Sequence, residues 1–273
     1  MKFFLCSTLI ATYATVAIDC AAQTPLSARS KGVAGISATI DDGLSSSENP
    51  AQIVSITKST IGIFAESTFL IPGYKSINIA GVFPVKSVHG IAFHASRNGT
   101  KHFYEQDFRL SYAIKISPKL NLGIQAERRE SIFNSENAKS KSAWLGSIGC
   151  TSTPLSGFTL GVSISNPNKS KWNNEQRTEI PSHLKLGSTI RISSKVKMHT
   201  QISKGSDRGT EFASGLEYSP IDQIQFRTGI STSPLRIAFG TSLFWKKTQI
   251  DFSAVTHAYL GITPAISIQQ KLR

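Results

Sequence analysis

Between Asp107 and Glu127 the chain alternates apolar and polar residues with a period of two, which is the pattern of a strand rather than a helix. The apolar set before the turn is Phe108, Leu110, Tyr112, Ile114 and Ile116. A tight turn follows at Ser117-Pro118-Lys119, and the alternation resumes from Leu120 onward. The stretch therefore predicts a hairpin whose strands of about 9 to 11 residues have the length that a tilted strand needs to cross a bilayer.

The same alternation divides residues 58–273 into about fourteen candidate strands. They are 59–70, 74–84, 88–97, 104–116, 120–129, 142–153, 158–166, 183–193, 195–204, 210–219, 223–233, 236–246, 248–258 and 261–272. Short connections alternate with longer ones, notably 98–103, 130–141, 167–182 and 205–209. Unequal rims and an even strand number are typical of outer-membrane barrels, whose short turns lie in the periplasm. We predict an all-β fold, a closed antiparallel transmembrane β-barrel of about 14 strands.

Alternation alone does not show which face of the strands contacts water. A soluble sandwich or a lipocalin-like barrel would turn the apolar face inward with the same sequence pattern. The strand number, the unequal rims and a polar face rich in Gly, Ser, Thr and long charged groups favour the lipid-facing arrangement. Aromatic residues are only 9% of the chain, so the expected aromatic girdle is thin. The final residue is Arg273 instead of the aromatic residue that usually ends the last strand of such barrels.

Residues 1–22 have the three-part form of a cleaved secretory signal peptide, with an apolar run from Phe3 to Ile18 before the small residues Cys20-Ala21-Ala22. A membrane anchor is the alternative, but the run is short for a spanning helix and is interrupted by threonines. Acylation of Cys20 is disfavoured by Ala17 and Asp19. We therefore expect export and an outer-membrane location.

The formal net charge is +13 and the pI is about 9.8, which in a cytosolic protein would raise nucleic acid as a partner. Export and the strand pattern predict no nucleic acid. At an outer membrane the excess charge would meet lipid and lipopolysaccharide phosphates, or would only be solvated. Cys150 is the one cysteine beyond the signal region, so neither an intramolecular disulfide nor a cysteine metal site is expected, and no cofactor is predicted.

Residues 23–57 lack the alternation and are rich in small residues and glycine. The segment contains Ala28-Arg29, Gly32, Gly35, an acidic pair at Asp41-Asp42, and Asn49-Pro50-Ala51 just before the first strand. Composition alone would also suit a disordered leader. The motif order, however, resembles the start of outer-membrane proteins of the long-chain fatty acid transporter superfamily, including the PorV and PorQ type of barrels from Bacteroidota. In that superfamily the segment folds into the lumen as a plug.

The resemblance implies a non-enzymatic accessory barrel of type IX secretion or surface attachment, with secretion-system proteins or exported cargo as partners. A channel for uptake of hydrophobic small molecules is the alternative function. Catalysis is not expected, because the sequence has no nucleophile motif and its six histidines are scattered, with His102 and Asp107, and His183 and Glu179, as the only pairs near outer loops. For the same reason no metal site is expected.

Three groups of residues are predicted to form functional surfaces. The plug motif comprises Arg29, Gly32, Gly35, Asp41, Asp42, Asn49 and Pro50. The lumen-facing set is Arg109, Lys115, Glu127, Lys185, Arg191, Glu217, Arg227 and Asp251. The outer-loop contact set is Lys169, Lys171, Trp172 and Arg177. We also expect Asp41 and Asp42 to pair with lumen arginine or lysine; a plain Asp-Asp-Gly turn is the other interpretation, and the two are compatible.

Overall fold

The structure, a computed structural model, describes residues 26–134, 140–173 and 177–272. The predicted signal peptide, residues 1–22, lies outside the described residues, and so does Arg273 at the end of the predicted barrel segment 58–273.

The described chain forms fourteen strands that close into one antiparallel barrel. They are β1 Thr60–Ser67, β2 Lys75–Val85, β3 His89–Gly99, β4 Phe103–Ser117, β5 Leu120–Phe133, β6 Lys141–Leu155, β7 Phe158–Ser165, β8 His183–Arg191, β9 Val196–Gly205, β10 Thr210–Ile221, β11 Ile224–Ser231, β12 Arg236–Trp245, β13 Thr248–His257 and β14 Gly261–Lys271. Each strand pairs with the next along the chain, and β1 pairs with β14 to close the ring. The predicted fold class and strand number are confirmed.

The prolines within the alternating segments do not end strands. Pro84 pairs with Gly90 and Pro264 with Ala254, without a shift of register, so neither proline interrupts its strand. Near Pro154 and Pro220 the register does shift, and β6 and β10 continue past them. A bulge accommodates the missing N–H of proline at these two positions.

The apolar face of the strands is turned outward. Ile63, Leu110 and Phe239 are 46%, 63% and 55% exposed on the outer surface, while inward-facing Ser111 and Ser242 are buried. A closed barrel with an apolar outside leaves no backbone group unpaired in lipid, whereas a soluble barrel needs the opposite arrangement. The inward apolar alternative is therefore wrong.

The two ends of the barrel differ in their connections. The short-turn rim joins β2 to β3, β4 to β5, β6 to β7, β8 to β9, β10 to β11 and β12 to β13 through two to four residues. The opposite end, here called the long-loop rim, carries connections of three to seventeen residues. The longest, 166–182, was predicted nearly in full. The connection predicted at 98–103 shrinks to 100–102, because β3 and β4 extend to Gly99 and Phe103.

Residues 26–57 lie inside the barrel as a plug. The plug contains helix α1 at Ala28–Gly32 and short 3-10 helices at Ser45–Ser47 and Pro50–Ser55. Its apolar side chains, such as Ile36 and Ile53, are fully buried. The disordered-leader alternative is thus wrong for these residues. No helix among the described residues is long and apolar enough to span a membrane.

Candidate functional site: the plugged lumen

A buried ion-pair cluster joins the plug to one wall of the barrel. Arg29 in α1 donates from Nε and Nη2 to the two carboxylate oxygens of Glu217 in β10, each at 2.9 Å. Arg227 in β11 donates to the same carboxylate at 2.8 Å, and its Nη1 lies 3.3 Å from Asp251 in β13. His199 Nε2 lies 3.3 Å from Glu217. One carboxylate therefore fixes both the plug helix and the adjacent wall, and the bidentate geometry makes the pairing directional.

A second cluster joins the plug to the opposite wall. Glu48 accepts from Lys185 in β8 and lies 3.9 Å from Arg109 in β4. Arg109 Nε in turn lies 2.6 Å from Asp107 and 3.2 Å from Glu127. Burial would raise the pKa of the Glu48 carboxyl, but Lys185 and Arg109 outweigh it and lower that pKa, so the side chain stays charged.

A third ion pair holds the beginning of the plug. Lys31 at the end of α1 pairs with Glu66 in β1, and both side chains are buried. Within the described residues, the charges of the plug and wall thus largely neutralise one another. Such a lumen does not present a field of one sign to a passing ion.

The acidic pair of the plug motif does not pair with the barrel wall, contrary to expectation. Asp41 pairs at 3.1 Å with Arg29 of the plug itself, and its side chain is 56% exposed. Asp42 accepts hydrogen bonds from Ser27 and Ser45 and from the Leu44 backbone. Burial raises the pKa of Asp42. The acidic pair therefore builds a turn within the plug. Glu48, which sequence reasoning missed, reaches the lumen cations instead.

A set of inward-facing glycines makes room for the plug backbone. At Gly161 in β7 a Cβ would lie 2.1 Å from the carbonyl oxygen of Ala38, and at Gly149 in β6 it would lie 2.1 Å from Asn49 Oδ1. Several pair directly across neighbouring strands, so the space is continuous. This glycine belt consists of Gly123, Gly149, Gly161, Gly187, Gly215, Gly229 and Gly240. Sequence reasoning missed the belt. Its signal was the recurrence of glycine at inward positions of successive strands.

The remaining plug-motif residues serve the fit between plug and belt. Gly32 approaches Gly240, since a Cβ on Gly32 would lie 3.2 Å from the Gly240 Cα. Gly35 has a φ of 82°, which favours glycine. Asn49 accepts from the Ala51 backbone at 3.1 Å and donates to the Ala38 carbonyl at 2.7 Å, while Pro50 follows as the first residue of its 3-10 helix.

The predicted lumen-facing residues divide into two groups. Arg109, Glu127, Lys185, Glu217, Arg227 and Asp251 lie in the ion-pair clusters. Lys115 and Arg191 share the inward register but are exposed at the short-turn rim, because they stand at the ends of β4 and β8, beyond the plug.

Above the plug, toward the long-loop rim, a small polar crevice remains. It measures about 60 Å³ and lies between the plug, at Glu48, and the wall of the second cluster, at Arg129 and Lys185. An apolar cluster, here called the outer-mouth cluster, borders it where loop 166–182 folds back over β6. Its members are Ala143, Leu145, Ile180 and Trp172. Leu145 belongs both to this cluster and to the lining of the crevice. The cluster therefore connects the loop surface with the interior.

The predicted outer-loop contact residues are brought together by the structure. Lys169, Lys171, Trp172 and Arg177 line one open depression of about 470 Å³, together with Asn173. Lys171 also lies 3.4 Å from Glu179 across the loop. In residues 26–134, 140–173 and 177–272 there is no group of three or more His, Cys, Asp or Glu side chains that could hold a metal ion.

No protein-family model matches the chain, and no curated protein matches it. Solved structures, by contrast, resemble it closely in fold. The Pseudomonas putida toluene transporter TodX matches with a TM-score of 0.69 and 10% identity over 92% of this chain and 99% of its own. The monoaromatic hydrocarbon channel CymD gives a TM-score of 0.66 and 13% identity, with 91% and 97% covered. A Pseudomonas aeruginosa FadL homologue gives 0.67 and 11%, with 92% and 99% covered.

These likenesses show the fold. The structures share it over nearly the whole of both chains, although the identity is too low to carry residue roles across. The PorV and PorQ assignment, and the type IX secretion role that it implied, find no support in these comparisons.

Proposed function

We propose that the protein is a non-enzymatic outer-membrane channel that admits small hydrophobic molecules, with its short-turn rim in the periplasm. The observation that carries this proposal is a membrane-type barrel that is sealed by its own N-terminal segment and bears an apolar cluster at its outer mouth. The toluene transporter and monoaromatic hydrocarbon channels of the same fold support it.

The resting state is closed. The crevice of about 60 Å³ is much smaller than the roughly 300 to 1,000 Å³ of ordinary ligand pockets. Passage therefore requires the plug or loop 166–182 to rearrange. The ion-pair clusters return the plug to a single position in the lumen afterwards, because charged pairs at fixed places define one register between plug and wall.

The outer-mouth cluster is the proposed entry point. Leu145 faces inward from β6 and is 6% exposed, while Ile180 from the loop is 3% exposed. Trp172 packs against them from the loop surface. A hydrophobic molecule that inserts between loop and strand would stay in contact with apolar side chains. Polar walls facing water cannot provide such contacts.

Uptake measurements on Leu145 variants test the entry point. We expect Leu145→Asn to reduce uptake of a radiolabelled monoaromatic hydrocarbon by roughly tenfold, because the new amide would be buried beside the passage without a partner. Leu145→Met keeps the volume and apolar character and should retain uptake. The assay compares host cells that express each variant, with folding checked by the heat-dependent gel shift of a closed barrel. If cells that express the wild-type protein take up no more hydrocarbon than cells without it, the channel function is refuted. Co-purification of secretion partners would then favour the accessory role.

A reversible cross-link tests whether the plug must move. A Cβ on Gly187 would lie 2.9 Å from the Cβ of Ala38, less than the roughly 3.5 to 4.5 Å between the Cβ atoms of a disulfide, so a small shift of the plug at Ala38 would allow the cross-link. In a Cys150→Ser background, Ala38→Cys with Gly187→Cys should abolish uptake when oxidised and restore it after reduction. Equal uptake in both states would show that the path avoids this part of the plug.

A further inference from the structure

The short-turn rim carries most of the excess positive charge of the described chain. Nine of its ten basic side chains are exposed, and Lys197 is half-buried. They are Lys58, Lys86, Lys115, Lys119, Arg191, Lys195, Lys197, Lys246, Lys247 and Lys271. The one acidic residue of this rim is Asp222, in the turn between β10 and β11. The plugged lumen, by contrast, is close to neutral.

Within the part of the chain that the structure describes, the rim cations have no acidic partners. Among the described residues, no carboxylate lies within ion-pair distance of any of the ten. The side-chain ammonium of Lys119 donates to the backbone carbonyl of Pro154, at 3.0 Å. On the long-loop rim, Arg128 pairs with Glu130 and Arg208 with Asp207. The long-loop rim therefore pairs part of its positive charge, whereas the short-turn rim keeps its charge available for an external anion.

The cations stand at the level where the apolar outer face ends. Val85 precedes Lys86 and Trp245 precedes Lys246, and both apolar side chains are exposed, at 39% and 71%. Lys246 Nζ lies 5.1 Å from the centre of the Trp245 ring. Tryptophan above a basic residue is the arrangement of a membrane interface, with the ring near the acyl chains and the charge at the phosphates. The charges also surround the barrel, from β1 and β14 through β4, β8 and β12, as a ring of lipid would.

We propose that the short-turn rim is a binding belt for anionic phospholipid headgroups of the leaflet in which it lies. Exposed lysines near a surface of anionic lipid attract its headgroups, so the rim lysines outside the inward register of Lys115 and Arg191 can enrich such lipids around the barrel. An acidic protein would need a contiguous patch on one side of the rim, and the circumferential spacing favours lipid. This proposal rests on the membrane placement of the proposed function but not on transport. The lipid belt and the transport function can therefore be refuted separately.

Two tryptophans at opposite rims allow the enrichment to be measured. Trp144 and Trp245 are 65% and 71% exposed on the outer face, and each lies beside a cation, Arg128 or Lys246. The protein is reconstituted in phosphatidylcholine vesicles that contain a minor fraction of acyl-brominated phosphatidylglycerol. Two single-tryptophan proteins are used. Trp144→Phe with Trp172→Phe retains only Trp245, and Trp172→Phe with Trp245→Phe retains only Trp144. Quenching is expressed relative to the same lipid without bromine.

We expect phosphatidylglycerol to be enriched near Trp245 by roughly fivefold over its level near Trp144. A variant with five rim substitutions, Lys86→Gln, Lys119→Gln, Lys195→Gln, Lys246→Gln and Lys247→Gln, should lose this enrichment. A matched variant of the other rim, Lys75→Gln, Lys101→Gln, Lys169→Gln, Lys171→Gln and Lys204→Gln, should keep it. The gel shift of the closed barrel confirms that both variants fold.

Equal quenching at the two tryptophans, or enrichment that persists after the five rim substitutions, would overturn the proposal. If the rim instead recognises an acidic protein, phosphatidylglycerol will show no enrichment at Trp245, and the lipid belt is again excluded. High salt should reduce the enrichment in the wild-type protein, since exposed charges are screened within about 8 to 10 Å at physiological ionic strength.

Discussion

Replacing Gly149 by leucine is expected to unseat the plug and make the barrel conduct ions. A Cβ at this position in β6 would lie 2.1 Å from Asn49 Oδ1, 2.9 Å from Pro50 Cδ and 3.1 Å from the Ala51 nitrogen. Two of these atoms belong to the proline ring or the backbone, which cannot rotate away. Overpacking of this kind typically costs about 1 to 3 kcal/mol, and a leucine adds three more carbons to the clash.

The consequence follows from how the plug is anchored. Asn49 holds the Ala38 carbonyl and the Ala51 nitrogen, so its displacement loosens two parts of the plug at once. We expect sustained single-channel conductance in a planar bilayer and protease cleavage within residues 26–57, where the wild-type protein shows neither.

The same strand provides the control for this substitution. Gly146 is also in β6, but no atom lies within 4 Å of where its Cβ would be. Gly146→Leu should therefore remain closed and protected from protease. A Gly149→Leu barrel that is as tight as wild type would show that the glycine belt is not what seats the plug.

The barrel could be predicted from the sequence because its signal is local. Each strand can be predicted from the alternation of its own residues, as from Phe108 to Ile116. Each turn can be predicted from the residues that directly follow such a stretch. The plug was found for a different reason, since the motif from Arg29 to Pro50 resembles a known segment. Nothing in its composition distinguished it from a disordered leader.

The contacts between plug and wall could not be predicted from the sequence. Arg29 and Glu217 are 188 positions apart, and Glu48 and Lys185 are 137 positions apart. Their meeting depends on the strand registers and on how the plug turns inside the barrel. The acidic pair Asp41-Asp42 looked like the partner of lumen cations because it is the most concentrated charge in the segment. The fold instead directs it to Arg29 and to a turn.

Replacing Glu217 by glutamine is expected to have the largest effect of any single charge change. The carboxylate is fully buried and accepts from Arg29 and Arg227 at once. Removal of one partner from a buried ion pair costs roughly 3 to 5 kcal/mol, because a buried charge is left without compensation. After this change Arg29 keeps only Asp41, whose side chain is largely exposed. We expect the free energy of unfolding in detergent to fall by about that amount and hydrogen exchange of α1 to accelerate.

A double-mutant cycle separates this coupling from general damage. Arg29→Gln combined with Glu217→Gln removes the buried plug cation together with its partner. The double variant should therefore lose less free energy of unfolding than the sum of the losses in the two single variants. Asp207→Asn serves as the comparison, because its ion pair with Arg208 is partly exposed on a loop and should contribute less than about 1 kcal/mol. Strictly additive losses at Arg29 and Glu217 would mean that this ion pair does not hold the plug. Unchanged exchange in α1 after Glu217→Gln would mean that the carboxylate serves mainly the barrel wall, through Arg227, rather than the plug.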